Sequence, residues 1–305
     1  MKMNKNIRSI IQTVILLLST SLASCGGQQV RPDQPQQHSY LCSDIGTKSL
    51  LKVSADGKVE WEYPVEVCTD AWMLKNGNIL LNFGGGETRG VREVTTDKKT
   101  VWEYKTAEEV FGCQRLKNGN TLVAECTAKR LIEVDPKGKI VKTIPVESTG
   151  TPHMVMRHAR KLKNGNYLVC FMTDKVVREY DPSGKKIREI KVPDMAFSAL
   201  RLKNGNTVIG YKGGVIEVDA KDKVLWHLTQ QDIPEVQLFW ITAVQRLKNG
   251  NTVFNNWFIH QRRSDQHPFI EVTPDKKVVW KSVINEKMVE PVSIQILDEK
   301  GPPLR

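Results

Sequence analysis

The sequence predicts an all-β protein: a six-bladed β-propeller of four-stranded antiparallel blades, closed by N- and C-terminal strands sharing one blade. Three observations predict it. The pentapeptide Leu-Lys-Asn-Gly-Asn occurs five times, starting at Leu74, Leu116, Leu162, Leu202 and Leu247, in steps of 42, 46, 40 and 45 residues. A second motif interleaves with it, running from Glu93 through Asp97 to Trp102 in one copy and beginning at Glu133, Glu179, Glu217 and Glu271 in others. A period in the low forties with two hairpin signals per copy is the signature of propeller blades.

Each unit reads as strand, Asn-Gly turn, strand, loop, strand, Asp/Gly turn, strand. Asn-Gly favours a two-residue hairpin because both central positions need φ > 0. The second motif is a β-branched run, a turn such as Asp135-Pro136-Lys137-Gly138, and a further apolar run. Lys52 to Trp61 is a sixth, less regular copy. Six outer hairpins against five Asn-Gly motifs leave one inner strand to find, and Ser293–Gly301 has its shape. Ile294–Leu297 is therefore expected to pair with Tyr40–Ser43 and close the ring without an open sheet edge.

The N-terminus predicts export. Lys2, Lys5 and Arg8 precede a short apolar core, Ile10 to Leu18, too short to span a bilayer well. Leu22-Ala23-Ser24-Cys25 then resembles a bacterial lipoprotein signal, with cleavage before a cysteine that becomes lipidated. The expected organisation is signal peptide 1–24, lipidated Cys25 with a flexible tether 25–38, propeller 39–301 and a short tail 302–305. This places the protein in the cell envelope of a diderm bacterium, at the outer membrane facing the periplasm or the surface. The membrane is its first expected partner, through Cys25.

The formal net charge is +11, and about +8 without the three signal cations. Much of it is repeat lysine in turns, a solvated device against edge pairing. Interleaved Arg/Lys and aromatics on one face are missing, so no nucleic-acid partner is expected. Removing Cys25 leaves five cysteines, Cys42, Cys68, Cys113, Cys126 and Cys170, an odd number without C-x-x-C spacing. These read as small buried core residues; Cys113 with Cys126 is the one pair that could oxidise.

Strand order places both kinds of tight turn on one face of the disc. The loops between strands two and three, and the connections between blades, lie on the other. The long insertions 143–157, 229–241 and 257–268 all sort onto that loop face, which marks it as the working face. On the inner strands, Asp70, Gly112, His158, Ser198, Ala243 and Ser293 form a row at the channel mouth. Phe83, Glu125, Phe171, Tyr211 and Asn256 end the second strands. His158 is the sharpest catalytic candidate, as a base or nucleophile with Asp70, Glu125 or Arg157 nearby. A hydrogen-bonded structural histidine is its plain alternative. Glu125 interrupts an apolar strand and is expected to be paired. Trp240 and Trp257, flanked by Phe239 and Phe258, offer a stacking platform for a sugar or aryl ring, or a hydrophobic lid. His153, His260 and His267 lie on the long loops without fixed carboxylates in sequence, so no metal is expected.

The pair Leu116–Val123 and Glu133–Val141, with Trp102-Glu103-Tyr104, resembles repeats of six-bladed propellers of the arylsulfotransferase type, and more loosely pyrroloquinoline-quinone-type propellers. The resemblance covers nearly all of 39–301 and rests on turn and packing residues. It implies the fold. For activity it would imply a sulfuryl-accepting histidine, matched here only by His158, with Arg157 and Asn256 beside it. A second channel histidine, a calcium site and a tryptophan floor are not visible, so no cofactor is implied.

The leading functional expectation is a binding propeller. It would present Asp70, Glu125, Arg157, Tyr211, Trp240, Asn256, Trp257 and His260 to a small molecule, a glycan or aryl compound, or an envelope protein. The alternative is a channel-mouth enzyme, an arylsulfotransferase-like transferase or a hydrolase or lyase, using His158.

Overall fold

The computed structural model describes residues 37–261, 265–282 and 286–299. The expected signal peptide, Cys25 and the C-terminal tail lie outside them, as does part of the last long loop. The described chain forms six four-stranded antiparallel sheets with a single short 3-10 turn, Pro152–Met154. This is the six-bladed propeller that the repeats predict.

Blade 2 shows the pattern: Ala71–Met73, Ile79–Phe83, Arg89–Val94 and Thr100–Thr106, from the central channel outwards. Blades 3 to 6 repeat it over 110–145, 156–191, 196–229 and 240–281. In each Asn-Gly turn the glycine takes a left-handed φ of 84 to 92°, but the asparagine does not. The expected two-residue hairpin is instead a longer turn, in which Gly119 N–H donates to Leu116 O at 3.1 Å and Leu116 N–H to Asn120 O at 2.8 Å. The preceding asparagine carbonyl oxygen of the side chain accepts the next backbone N–H but one, as from Asn120 to Asn118 at 3.1 Å. Asparagine and glycine are needed there for different reasons, local hydrogen bonding and backbone freedom.

Blade 1 comprises Tyr40–Asp44, Ser49–Val53 and Val59–Pro64, with Gln295–Ile296 as its innermost strand. Tyr40 pairs with Ile296 and Leu41 with Gln295. The closing strand is shorter than the expected Ile294–Leu297. Backbone bonds from Leu297 to Ser39 (2.8 Å) and Val292 to Ser43 (2.9 Å) nevertheless carry the pairing to both ends. The ring closes as expected.

Alternating strand residues fill six apolar clusters, most of which span neighbouring blades, as where Tyr40, Leu51 and Ile296 of blade 1 pack with Val253, Phe269 and Trp280 of blade 6. The outer tryptophans join blades as well. Trp61 Nε1 donates to Thr96 O of blade 2 at 2.7 Å, and Trp226 Nε1 to Pro274 O of blade 6 at 2.8 Å. All five described cysteines are buried and none forms a disulfide, Cys113 and Cys126 included.

The motif glutamate has a role that its sequence pattern did not announce. Glu93, Glu133, Glu179, Glu217 and Glu271 are all buried. Asn78, Asn166, Asn206 and Asn251 each donate to the glutamate of their own blade at 2.6 Å. A cation of the next blade closes the other oxygen or shares the first: Arg115, Arg201 and Arg246 at 2.7 Å and Lys161 at 2.5 Å. These charge-assisted contacts latch blades 2 to 6 to one another in succession. One joint lacks the device: Lys52 stands at the glutamate position of blade 1 and Met73 at the cation position of blade 2.

At the closing joint the cation is a histidine. His38 Nε2 meets Glu271 at 2.7 Å and its Nδ1 meets Asp298 at 3.0 Å. Burial alone would lower its pKa, but hydrogen bonds and charge from both carboxylates outweigh this and raise it from 6.5 to about 9. A pKa raised on folding stabilises fully below the unfolded value and is lost as pH climbs through the folded one. Stability from this clasp is therefore present below pH 6.5 and lost by pH 9, by up to about 3 kcal/mol. Urea midpoints measured across that window should fall in the native chain and stay flatter in His38→Gln; equal slopes would refute the clasp.

Candidate functional site

The inner strands bring two rows of side chains to the channel. Each row falls at alternate residues, so both point inward. One contains Asp70, His158, Ser198, Ala243 and Ser293; the other contains Trp72, Arg160 and Leu200. A bulge sits at this end of four of the inner strands, for example between Met156 and Ala159 and between Ala196 and Ser198. Bulges re-aim side chains at the ends of strands, and this one turns His158 towards the axis.

Asp70 is buried and bound on both oxygens. Arg160 approaches it with two nitrogens at 2.8 and 2.9 Å, and the Cys113 backbone N–H donates to it at 2.8 Å. Burial pushes the carboxyl pKa up, but the Arg160 and His158 side chains and these hydrogen bonds hold it below the usual carboxylate range. Arg160 also lies over the Trp72 ring, 5.0 Å from its centroid. The sequence reading missed Arg160. It lies two residues beyond His158, at the same strand parity, and that spacing was the available signal.

His158 is buried, and its Nε2 reaches only the Thr69 carbonyl, at 3.4 Å. Burial drives its pKa from 6.5 down to about 4, opposed by Asp70 and assisted by Arg160. It is neutral at neutral pH. A histidine pKa lowered on folding costs stability as pH falls from 6.5 towards 4, the flank opposite to that of His38. The cavity between the rows measures only about 20 Å³, room for a water molecule and not for a sugar or aryl ring.

The other expected residues fall into separate groups. Glu125 pairs with Arg130 of its own blade at 2.5 Å and accepts from Tyr104 OH of the preceding blade at 3.0 Å. Tyr211 is buried with its hydroxyl 2.6 Å from His227 Nε2. Asn256 is fully buried and holds the loop before it, accepting from Phe239 N at 2.7 Å and donating to Gln237 O at 2.8 Å. Arg157 lies over Phe111, 4.1 Å from its centroid, and donates to His153 O at 2.8 Å. Burial lowers its pKa to about 10.

Trp240, Trp257 and His260 do come together on the loop face. Trp240 and Trp257 meet edge to face at 5.3 Å, and His260 meets Trp257 in the same way at 5.8 Å. Phe197 and Phe258, both buried, form the floor beneath, with Phe197 4.9 Å from Trp240. The buried Glu290 organises the group. It accepts from Trp257 Nε1 and the His260 backbone N–H at 2.8 Å, and pairs with His260 Nδ1 at 2.9 Å. Ile259 and His260 both adopt left-handed φ values, 47 and 58°. For non-glycine residues, and a β-branched one especially, this is strained backbone, of the kind concentrated at ligand-binding sites. Among the described residues no cluster of His, Cys, Asp and Glu could hold a metal ion.

Fold and face together define a propeller with a plugged axis and an aromatic patch on its loop side. The family described as Mal s 1 allergenic protein-like matches residues 91–231. A protein of unknown function from Bacteroides caccae is similar over 87% of this chain and 100% of its own, at 27% identity and a TM-score of 0.76. Virginiamycin B lyase from Staphylococcus aureus, solved as a catalytically inactive variant with quinupristin, is similar over 85% of this chain and 88% of its own, at 13% identity and a TM-score of 0.58. A functionally unknown protein from Desulfotomaculum acetoxidans is similar over 85% of each chain, at 11% identity and a TM-score of 0.59. The last two likenesses are of fold. No curated protein matches the chain.

Proposed function

We propose that the protein is a lipid-anchored cell-envelope propeller that binds a ring-bearing small molecule or glycan on its loop face, over Trp240, Trp257 and His260. The observation that carries this reading is the Glu290 clamp on a strained backbone: a carboxylate, two left-handed residues and two indoles hold one half-exposed aromatic surface in place. Flat rings stack on such surfaces with little entropic loss. The channel supports the reading by exclusion of volume, since its axis is filled by Asp70, Arg160 and His158.

The test is titration of the protein with a panel of glycans and aryl compounds, followed by tryptophan fluorescence and calorimetry. Trp257→Ala should weaken the ligand found by about 2 kcal/mol, the scale of a central contact residue, without changing the urea midpoint by a comparable amount. Undiminished binding in that variant overturns the platform.

The enzyme reading, a transferase, hydrolase or lyase using His158, draws on one observation: a neutral histidine beside a buried Asp–Arg pair. A lyase among propellers of this fold agrees with it. Turnover of any panel member that His158→Ala abolishes, with folding intact, would move the function into the channel.

A further inference from the structure

The face opposite the aromatic patch carries an arrangement that ligand binding does not use. Each Asn-Gly turn presents one exposed lysine: Lys75, Lys117, Lys163, Lys203 and Lys248. They recur once per blade and so form an arc around the axis. None has an ion-pair partner among the described residues. The outer turns add exposed Lys98, Lys99, Lys137, Lys139, Lys185 and Lys223, partly offset by the aspartates that hold those turns.

A second feature borders the first. Val101, Val141, Ile187 and Leu225 are the second residues of the outermost strands of blades 2 to 5, at their turn-face ends. They are 49 to 55% exposed. Four aliphatic side chains at the same position of successive blades make a broken apolar rim beside the lysines. The chain also enters the body on this face. Tyr40, where the first strand begins, lies opposite Val53, the strand end from which the Ser54–Lys58 turn departs, and opposite Ile296.

We propose that the turn face docks on an anionic phospholipid bilayer. Lysines at a bilayer surface gain from the negative potential of anionic headgroups, and exposed aliphatic groups beside them enter the headgroup region. The described chain begins on the same side, so a tether preceding it would leave from the docking face. The aromatic patch then points away from the lipid. The tether in this picture rests on the lipid-anchor reading of Cys25; the lysine arc does not.

The experiment separates the two. All strands and core clusters lie within 38–299, so a chain starting at Gly26 contains the whole fold and lacks Cys25. This chain is mixed with phosphatidylcholine vesicles, with and without phosphatidylglycerol, and its bound fraction measured by sedimentation. Binding should need phosphatidylglycerol and weaken as salt is raised. Changing the five arc lysines to glutamate should lower partitioning at least about tenfold, and changing them to glutamine should lower it less. The remaining cysteines are buried, so Val141→Cys accepts a polarity-sensitive dye that should shift on anionic vesicles, whereas the same dye at Glu235→Cys on the loop face should not. Equal binding to neutral vesicles, undiminished binding of the glutamate variant, a shift at Glu235 instead of Val141, or retention on polyanionic glycan or nucleic acid without vesicle binding would each overturn the proposal. Mass measurement of the native N-terminus tests the lipid on Cys25 independently.

Discussion

Truncation after Glu290 is expected to abolish the native fold. The segment removed supplies Val292, Ile294 and Ile296, each buried at 5% exposure or less. It also carries polar contacts made across the ring: Gln295 accepts from Met73 N at 2.7 Å, Ile296 N donates to Gln245 at 3.0 Å, and Ser293 Oγ lies 2.7 Å from Ser43 Oγ. Asp298, one half of the His38 clasp, goes with it. Loss of one buried aliphatic side chain costs about 2–5 kcal/mol. Three such losses with two new sheet edges match or exceed a whole domain's stability of about 5–15 kcal/mol. Circular dichroism and urea unfolding decide it. A soluble truncated chain with the native midpoint would show that the ring does not depend on its closing strand.

The second large effect is expected in the channel. Arg160→Leu leaves the Asp70 carboxylate buried with the Cys113 N–H but without its guanidinium. Breaking a buried pair from one side costs about 3–5 kcal/mol, because the remaining charge is uncompensated. Asp70→Asn combined with Arg160→Met should cost clearly less, since no charge is then stranded. The pH response carries a sign. Asp70 has a depressed folded pKa, so its stabilising contribution is present above the unfolded carboxyl value and lost as pH falls through the folded one. Without Arg160 that acid loss should begin at higher pH. Urea midpoints of the two variants measure both effects, and an Arg160→Leu chain as stable as the native one would mean that the pair does not hold the channel.

The architecture was legible because it is written in local signals repeated at a fixed period. Asn118-Gly119 and Asp135–Gly138 name their turns, and the mismatch between six hairpins and five Asn-Gly motifs reveals the closing strand. The site was less legible. Propeller side chains at equivalent positions can face the axis, the neighbouring blade or the loops above, and a one-residue bulge decides which. Glu125 and Asn256 break the apolar pattern, as candidates should, yet one turns to Arg130 in the sheet and the other ties down its own loop. Trp240 and Trp257 were found because large aromatics bordering long insertions are conspicuous, although both prove to be strand ends that pair with each other. Glu290 was not, since its partners Trp257 and His260 lie some thirty residues away in sequence. The latch glutamates hid in plain view for a different reason: a residue repeated in every blade reads as a spacer until its partners in the next blade are seen.

The missing latch between blades 1 and 2 leaves the ring unevenly braced. Five clasped joints and one unclasped one make the propeller a split collar, not a uniform wheel. At the unclasped joint Lys52 and Met73 stand where a carboxylate and a cation stand elsewhere, and the blades are joined instead by Trp61 on Thr96 O and by Met73 N on Gln295, both at 2.7 Å. Asp70 stands directly beside that seam, just ahead of Ala71–Met73, while its partner Arg160 belongs to blade 4, across the axis. The hub lies instead on the clasped side: Asp70, Cys113 and Arg160 tie blades 2, 3 and 4 at the axis, and the latches of Arg115 and Lys161 tie the same three blades further out, so plug and latches brace one arc of the collar.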